Sequence, residues 1–194
     1  MRRLWIALLS ALVVGCNPNA GLRREVDAYL AGYAREYQRL YYDDSQAQWD
    51  NNTHIVAGDT SNAARARRTG EALAAFQGSV ENIEKIRGYL ADSARLTPLQ
   101  ARQLDVMLYN AAGSPATVAD TVKARIAAET EQVEKLYGWQ FRIGTRAVTA
   151  NDLDNTLRSS RKLPERLAAW EASKALGPSL KPGLVRLRDL RNRV

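Results

Sequence analysis

Apolar and aromatic side chains recur every three or four residues along most of this chain, and this spacing constrains its fold more than any other feature. The first such stripe, in residues 22–49, consists of Val26, Tyr29, Leu30, Tyr33, Tyr37, Leu40 and Tyr41. Its period matches the 3.6-residue turn of an α-helix, which places these side chains on one face. The sequence therefore predicts a long first helix with a face rich in tyrosine.

Turn signals divide the rest of the chain into further helices. The predicted helices cover about 56–77, 80–94, 99–112, 118–137, 151–157, 160–176 and 179–194. Thr97-Pro98 has the form of an N-cap followed by proline in the first helical position. Gly113-Ser114-Pro115 and Gly177-Pro178 are typical helix stops. Because no strand ladder or internal repeat is found in the sequence, an all-α, multi-helix array is predicted.

Two segments depart from this simple pattern. Residues 138–149 alternate apolar and polar side chains, which is compatible with either a loop or a short hairpin. The helix predicted for 179–194 carries no stop signal. This favours a natural fold that continues past Val194.

The amino terminus has the pattern of an export signal. Arg2 and Arg3 precede an apolar run at 4–14, which is long enough for a signal peptide and too short for a membrane-spanning helix. The run ends in Val13-Val14-Gly15-Cys16, which is similar to the bacterial lipobox, where the cysteine is acylated. We predict a signal peptide at 1–15, a lipidated linker at 16–21 and a helical domain at 22–194.

Cys16 is the only cysteine in the chain, so it has no disulfide partner, and acylation explains its presence. Several acyl chains on one residue would make a durable membrane anchor. Asn17 follows where inner-membrane retention signals usually place Asp, so the resemblance implies a periplasmic protein held at the outer membrane. The alternative is an ordinary secretory signal with an incidental cysteine.

The positive charge of the chain does not indicate nucleic-acid binding. The formal net charge is +7, and much of it lies in residues 181–194, where five basic residues stand against Asp189 alone. No aromatic–basic platform, zinc-finger spacing or glycine-rich phosphate loop accompanies this charge. We therefore expect no nucleic-acid partner.

The single histidine, His54, limits the chemistry that the chain can perform. A zinc hydrolase usually draws two ligands and a general base from a His-Glu-x-x-His turn, which is absent. A serine triad would also need His54, and no Gly-x-Ser-x-Gly motif occurs. No catalytic or metal-binding residue is therefore predicted here, and His54 is expected at the surface or as a cap at the start of the second helix.

Three stretches are similar to motifs of the angiotensin-converting-enzyme family of dipeptidyl carboxypeptidases. Residues 45–53 resemble a helix-ending motif in which a tryptophan is followed closely by Asn-Thr. Residues 152–161 resemble a stretch that opens with Asp-Leu and closes with Ser-Arg. The third motif, Leu-x-x-Trp-Glu-x-x-Arg, is matched by Leu167, Trp170, Glu171 and Lys174. The order and spacing of these motifs agree with those of the family. The similarity covers about residues 25–194 and is strongest at 150–178.

The resemblance implies a zinc peptidyl-dipeptidase, which removes dipeptides from the carboxyl ends of oligopeptides. It implies that this chain forms the lid and one wall of a deep groove in a larger, mostly helical enzyme. The family's zinc ligands lie downstream, so the 194-residue chain alone is expected to be inactive. A groove wall is the role expected of Tyr29, Tyr33, Tyr37 and Tyr41, and core packing is the alternative for the same four residues.

Two positions depart from the family pattern. The family's arginine, which commonly helps to hold an activating chloride, is replaced by Lys174, which lacks the planar guanidinium fork. Ala150 stands where animal members carry a glutamate near the leaving dipeptide. A chloride site at Lys174 is therefore less expected than in the family. The preference for basic leaving residues should be weaker. The rival hypothesis is a non-catalytic helical envelope lipoprotein that acts as a binding or scaffold module.

Overall fold

The computed structural model of the protein describes residues 18–54, 56 and 59–194. The predicted signal peptide and Cys16 lie outside these residues. Within them the α-helices are α1 (Ala20–Thr53), α2 (Ser61–Gln77), α3 (Val80–Ala91), α4 (Pro98–Ala112), α5 (Ala119–Tyr137), α6 (Ala150–Ser159), α7 (Leu163–Lys174) and α8 (Gly177–Arg191). Two short 3₁₀ turns, Ser93–Arg95 and Ala116–Val118, and an antiparallel hairpin of β1 (Phe141–Ile143) and β2 (Arg146–Val148) complete the fold.

The predicted all-α class is confirmed, with one small hairpin added. Of the two alternatives for 138–149, the hairpin is correct, and its turn contains Gly144 at a φ of 60°. This left-handed conformation is readily adopted only by glycine.

Several predicted helix boundaries were wrong, and the largest differences are that α1 continues to Thr53 and that α2 begins at Ser61. Gly177 opens α8 instead of ending α7, with Pro178 in the first turn, where its missing N–H is not needed. The last helix closes at Arg191, where the Asn192 N–H donates to the Arg188 carbonyl at 3.0 Å.

Local capping explains where α4 and α6 begin. The Thr97 hydroxyl accepts from the Gln100 N–H at 3.2 Å, while the Gln100 side chain accepts from the Thr97 N–H at 3.0 Å. Thr149 and Asp152 form the same reciprocal pair at the start of α6. Each box satisfies two N–H groups that a helix start would otherwise leave without partners.

The core of the amino-terminal half lies where α3 and α4 pack against the first part of α1. Its buried members are Val26, Ile86, Tyr89, Leu96 and Leu104. The buried Gln100 ties α4 to α1, because its amide donates to the Asp27 carboxylate at 2.6 Å and to the Arg23 carbonyl at 2.9 Å. These contacts determine how α4 lies beside α1.

The remaining helices form two further groups. The carboxyl-terminal half of α1 packs on α2, which packs on α5, and α5 packs on α8. Ion pairs from Arg186 to Glu131 and from Arg191 to Glu129 join α8 to α5. The hairpin, α6 and α7 share a separate small core around Leu153, Ala169 and Ala172.

Candidate functional site

An open groove between α1 and α4 is the candidate functional site, and we refer to it as the α1–α4 groove. It has a volume of about 440 Å³, which lies within the range of small-ligand pockets. Its lining residues are Leu30, Tyr33, Ala34, Tyr37, Leu99, Arg102, Gln103, Val106, Met107 and Asn110.

The lining residues come from one face of each helix. On α1 the positions 30, 33, 34 and 37 follow helical spacing, and on α4 the positions 99, 102, 103, 106 and 110 do the same. The face from α1 is apolar and aromatic, whereas the face from α4 has three apolar residues, Leu99, Val106 and Met107, and three polar ones, Arg102, Gln103 and Asn110. The two tyrosine hydroxyls are further polar groups of the groove. The groove can therefore bury apolar ligand groups and also offer hydrogen bonds.

The four tyrosines proposed as a groove wall form a continuous ladder along α1. Successive ring centroids are separated by 6.2 Å from Tyr29 to Tyr33, 6.3 Å from Tyr33 to Tyr37 and 5.6 Å from Tyr37 to Tyr41. The structure places Tyr33 and Tyr37 in the α1–α4 groove, whereas Tyr41 is exposed beyond it.

Tyr29 contributes to a different contact. Its hydroxyl donates to the Asn82 side-chain oxygen at 3.3 Å, and its ring centroid lies 5.4 Å from that of Tyr89. Lys85 of α3 also places its ammonium 5.1 Å from the centroid of this ring. Tyr29 thus joins α1 to α3 and does not line the groove.

Three tyrosines are expected to ionise later than usual, and burial is the main cause that raises the pKa of Tyr33. Burial is the main cause that raises the pKa of Tyr29 to about 12. Burial, followed by the hydrogen bond that its hydroxyl donates to Glu25 at 2.9 Å, also raises the pKa of Tyr89 to about 12. A spectrophotometric titration at high pH should therefore show two of the eight tyrosines ionising near pH 12.

The sign of the effect on stability follows from these shifts. An unfolded tyrosine has a pKa of about 10, so the folded state holds these two protons more tightly than the unfolded state does. The resulting stabilisation is complete below about pH 10 and is lost as the pH rises towards 12. Tyr89→Phe should remove one late-ionising group. Ionisation of all eight tyrosines in one step near pH 10 would contradict the prediction.

The other predicted site residues lie apart from the groove. Lys174 is exposed in the last turn of α7, with its ammonium 5.9 Å from the Trp170 ring centroid. His54 is exposed, as one of its two predicted alternatives stated, and it follows the last residue of α1 instead of capping α2. Its carbonyl accepts from the Asn62 amide at 3.0 Å. Cys16, the predicted lipidation site, lies outside the described residues.

Neither a metal cluster nor a membrane span is found in the described part of the chain. Within residues 18–54, 56 and 59–194, no three His, Cys, Asp or Glu side chains are grouped so that they could hold a metal ion. None of the helices in these ranges combines the length and apolar character needed to cross a bilayer.

Sequence reasoning missed an exposed apolar face on α7. Leu163, Leu167 and Trp170 are 73%, 51% and 51% exposed, and together they form a stripe that we call the α7 face. On the opposite side of the helix, the small residues Ala169 and Ala172 are buried. Positions 163, 167 and 170 have the spacing of one helical face, but spacing alone does not reveal which face is buried.

Comparisons with known proteins found no relative of this chain. No protein-family model, no curated protein and no solved structure matches it. Any functional assignment therefore depends on the residues of the chain and on their geometry.

Proposed function

We propose that this chain is the amino-terminal part of a zinc peptidyl-dipeptidase, a metallopeptidase that releases carboxyl-terminal dipeptides from oligopeptides. Its helices provide the lid and one wall of the peptide-binding groove. An acylated Cys16 anchors the protein to the membrane, at the periplasmic face of the outer membrane. The zinc ligands and catalytic groups belong to a further part of the enzyme, so the 194-residue chain is inactive by itself.

The observation that carries this proposal is the α7 face. Large apolar side chains point to solvent while alanines face the core, which reverses the usual arrangement of a surface helix. Burying one leucine side chain completely contributes about 2 kcal/mol, so a second protein surface that covered this face would be strongly favoured. Exposed apolar patches typically mark such interaction sites.

The position of the α7 face in the sequence supports the same proposal. Leu167 and Trp170 belong to the motif Leu-x-x-Trp-Glu-x-x-Arg, in the segment where the family resemblance is strongest. Their outward orientation is what a contact with a missing catalytic part requires. Lys174 provides a single ammonium without the guanidinium fork, so chloride activation is not part of the proposal.

The α1–α4 groove also favours a second candidate function. The helices α1 and α4 form this groove without any other chain. A non-catalytic envelope lipoprotein could therefore bind a ligand in the α1–α4 groove. The two candidates differ in the chemistry of the intact protein. Only the peptidase requires zinc and hydrolyses a peptide bond.

Zinc-dependent hydrolysis of a blocked tripeptide separates the two candidates. The coding sequence downstream of Val194 should contain an in-frame His-Glu-x-x-His motif. The protein extended through that motif should release a dipeptide, lose this activity on treatment with 1,10-phenanthroline and recover it when zinc is added. The 194-residue chain, assayed at the same concentration, should show no turnover.

Two results would contradict the peptidase proposal. One is metal-dependent turnover by the 194-residue chain alone, which would place the catalytic groups within it. The other is a downstream sequence without the zinc motif, which would leave the binding module as the better assignment.

A further inference from the structure

Among the described residues that line the α1–α4 groove, Arg102 supplies the only charge. Neither a hydrogen bond nor an ion pair engages its guanidinium in the part of the chain that the structure describes. Within 18–54, 56 and 59–194, no acidic side chain lines the groove with it. An unpaired guanidinium in an otherwise uncharged groove favours a ligand that brings one carboxylate, which arginine can bind through two parallel hydrogen bonds.

The amide side chains of the groove match a peptide backbone. Gln103 and Asn110 each carry a donor and an acceptor, as a peptide group does. They lie two helical turns apart on α4, which corresponds to roughly 10 Å along the helix. An extended peptide spans this distance with about three residues.

The apolar lining completes the chemical character of the groove. Leu30 and Met107 are partly buried, whereas Leu99 and Val106 are exposed at its edge. A peptide with apolar side chains would cover these four residues and keep its backbone hydrogen-bonded to the amides. A fatty acyl chain would form no hydrogen bonds with the two amides, and a polyphosphate chain would need several cations.

From these features we infer that the α1–α4 groove binds a short apolar peptide bearing one carboxylate, which Arg102 holds while Gln103 and Asn110 bond the backbone. The inference rests on the proposed function in taking peptides as the ligand class. It goes further because it assigns recognition of the carboxylate to a residue of this chain. The carboxylate belongs either to the peptide's carboxyl terminus or to an acidic side chain.

Isothermal titration calorimetry of the 194-residue chain with unlabelled peptides tests this inference. Acetyl-Gly-Phe-Leu with a free carboxylate should bind about tenfold more tightly than its carboxyl-terminal amide, because a charge-assisted hydrogen bond is lost. Acetyl-Gly-Phe-Glu amide identifies the source of the carboxylate. If it binds as well as the free acid, an acidic side chain suffices, and if it binds as weakly as the leucine amide, the terminal carboxylate is required.

Three variants connect the binding to the groove. Arg102→Gln should weaken binding of the free-acid peptide about tenfold, so that the acid and the amide bind equally well. Val106→Trp should block the groove without altering the charge, since Val106 is half exposed and tolerates a larger side chain. Arg68→Gln removes the same charge from an exposed position on α2 and should leave binding unchanged. Circular dichroism checks that each variant keeps its helical content.

The inference is overturned if no peptide binds, if the amide binds as tightly as the acid, or if Arg68→Gln weakens binding as much as Arg102→Gln. These outcomes are separate from those of the peptidase assay. Zinc-dependent activity in the extended protein without peptide binding by this chain rejects only the groove assignment. Peptide binding without any downstream zinc motif rejects only the peptidase.

Discussion

Gly78→Ala is expected to destabilise the fold by about 3 kcal/mol, because no side chain fits at this position. A β-carbon added to Gly78 would overlap the Ser114 carbonyl oxygen and lie 2.6 Å from its carbonyl carbon. The neighbouring atoms are backbone and cannot rotate away. The Gly78 carbonyl also accepts from the Ala116 N–H at 3.0 Å, so separating the two segments would break a hydrogen bond as well.

Gly88→Ala is the matched control for this prediction. Gly88 lies inside α3, and a β-carbon added there meets nothing within 4 Å. Alanine has the higher helix propensity, so this substitution should stabilise the protein by about 0.5–1 kcal/mol. Urea unfolding followed by circular dichroism at 222 nm measures both variants. Equal unfolding midpoints for Gly78→Ala and the parent protein would show that the two segments are not in close contact.

Leu104→Ala should cost about 3 kcal/mol, within the usual range for a leucine removed from a core. Leu104 is 0% exposed and belongs to the cluster formed by α1, α3 and α4. Shortening it leaves a cavity between helices that α4 alone cannot close. The loss combines the transfer free energy of the removed methyl groups with the contacts that their neighbours lose.

The same substitution elsewhere on α4 provides the control. Leu99 is 65% exposed, so Leu99→Ala should lower the free energy of unfolding by less than about 1 kcal/mol. Because Leu99 lines the α1–α4 groove, this variant should nevertheless weaken peptide binding. Similar destabilisation by the two variants would contradict the assignment of Leu104 to the core and of Leu99 to the groove edge.

Several features of the fold could be predicted because their causes are local. Thr97-Pro98 placed the start of α4 correctly, since the cap is formed by residues only three positions apart. The break between the helices predicted at 56–77 and 80–94 was also confirmed, because the Ser79 hydroxyl accepts from the Asn82 N–H and caps α3. The mistake at Gly177-Pro178 arose because glycine and proline can both end one helix and begin the next.

The residues that line the candidate site were harder to predict from the sequence. Tyr29, Tyr33 and Tyr37 share one helical stripe, yet Tyr29 contacts α3 while the other two line the α1–α4 groove. The sequence alone does not distinguish Arg102 from other surface residues, because an arginine on an amphipathic helix is usually solvated. Its special position appears only when α4 lies beside α1.

The sequence by itself determined the helical period, the Thr97 cap of α4 and the absence of a His-Glu-x-x-His motif from this chain. Only the tertiary structure decided which face of each helix is buried. On α7 the small side chains of Ala169 and Ala172 permit close packing with α6 and the hairpin, and Leu167 and Trp170 are therefore left outside. Helical periods arise from neighbouring residues, whereas burial depends on partners that are distant in the chain.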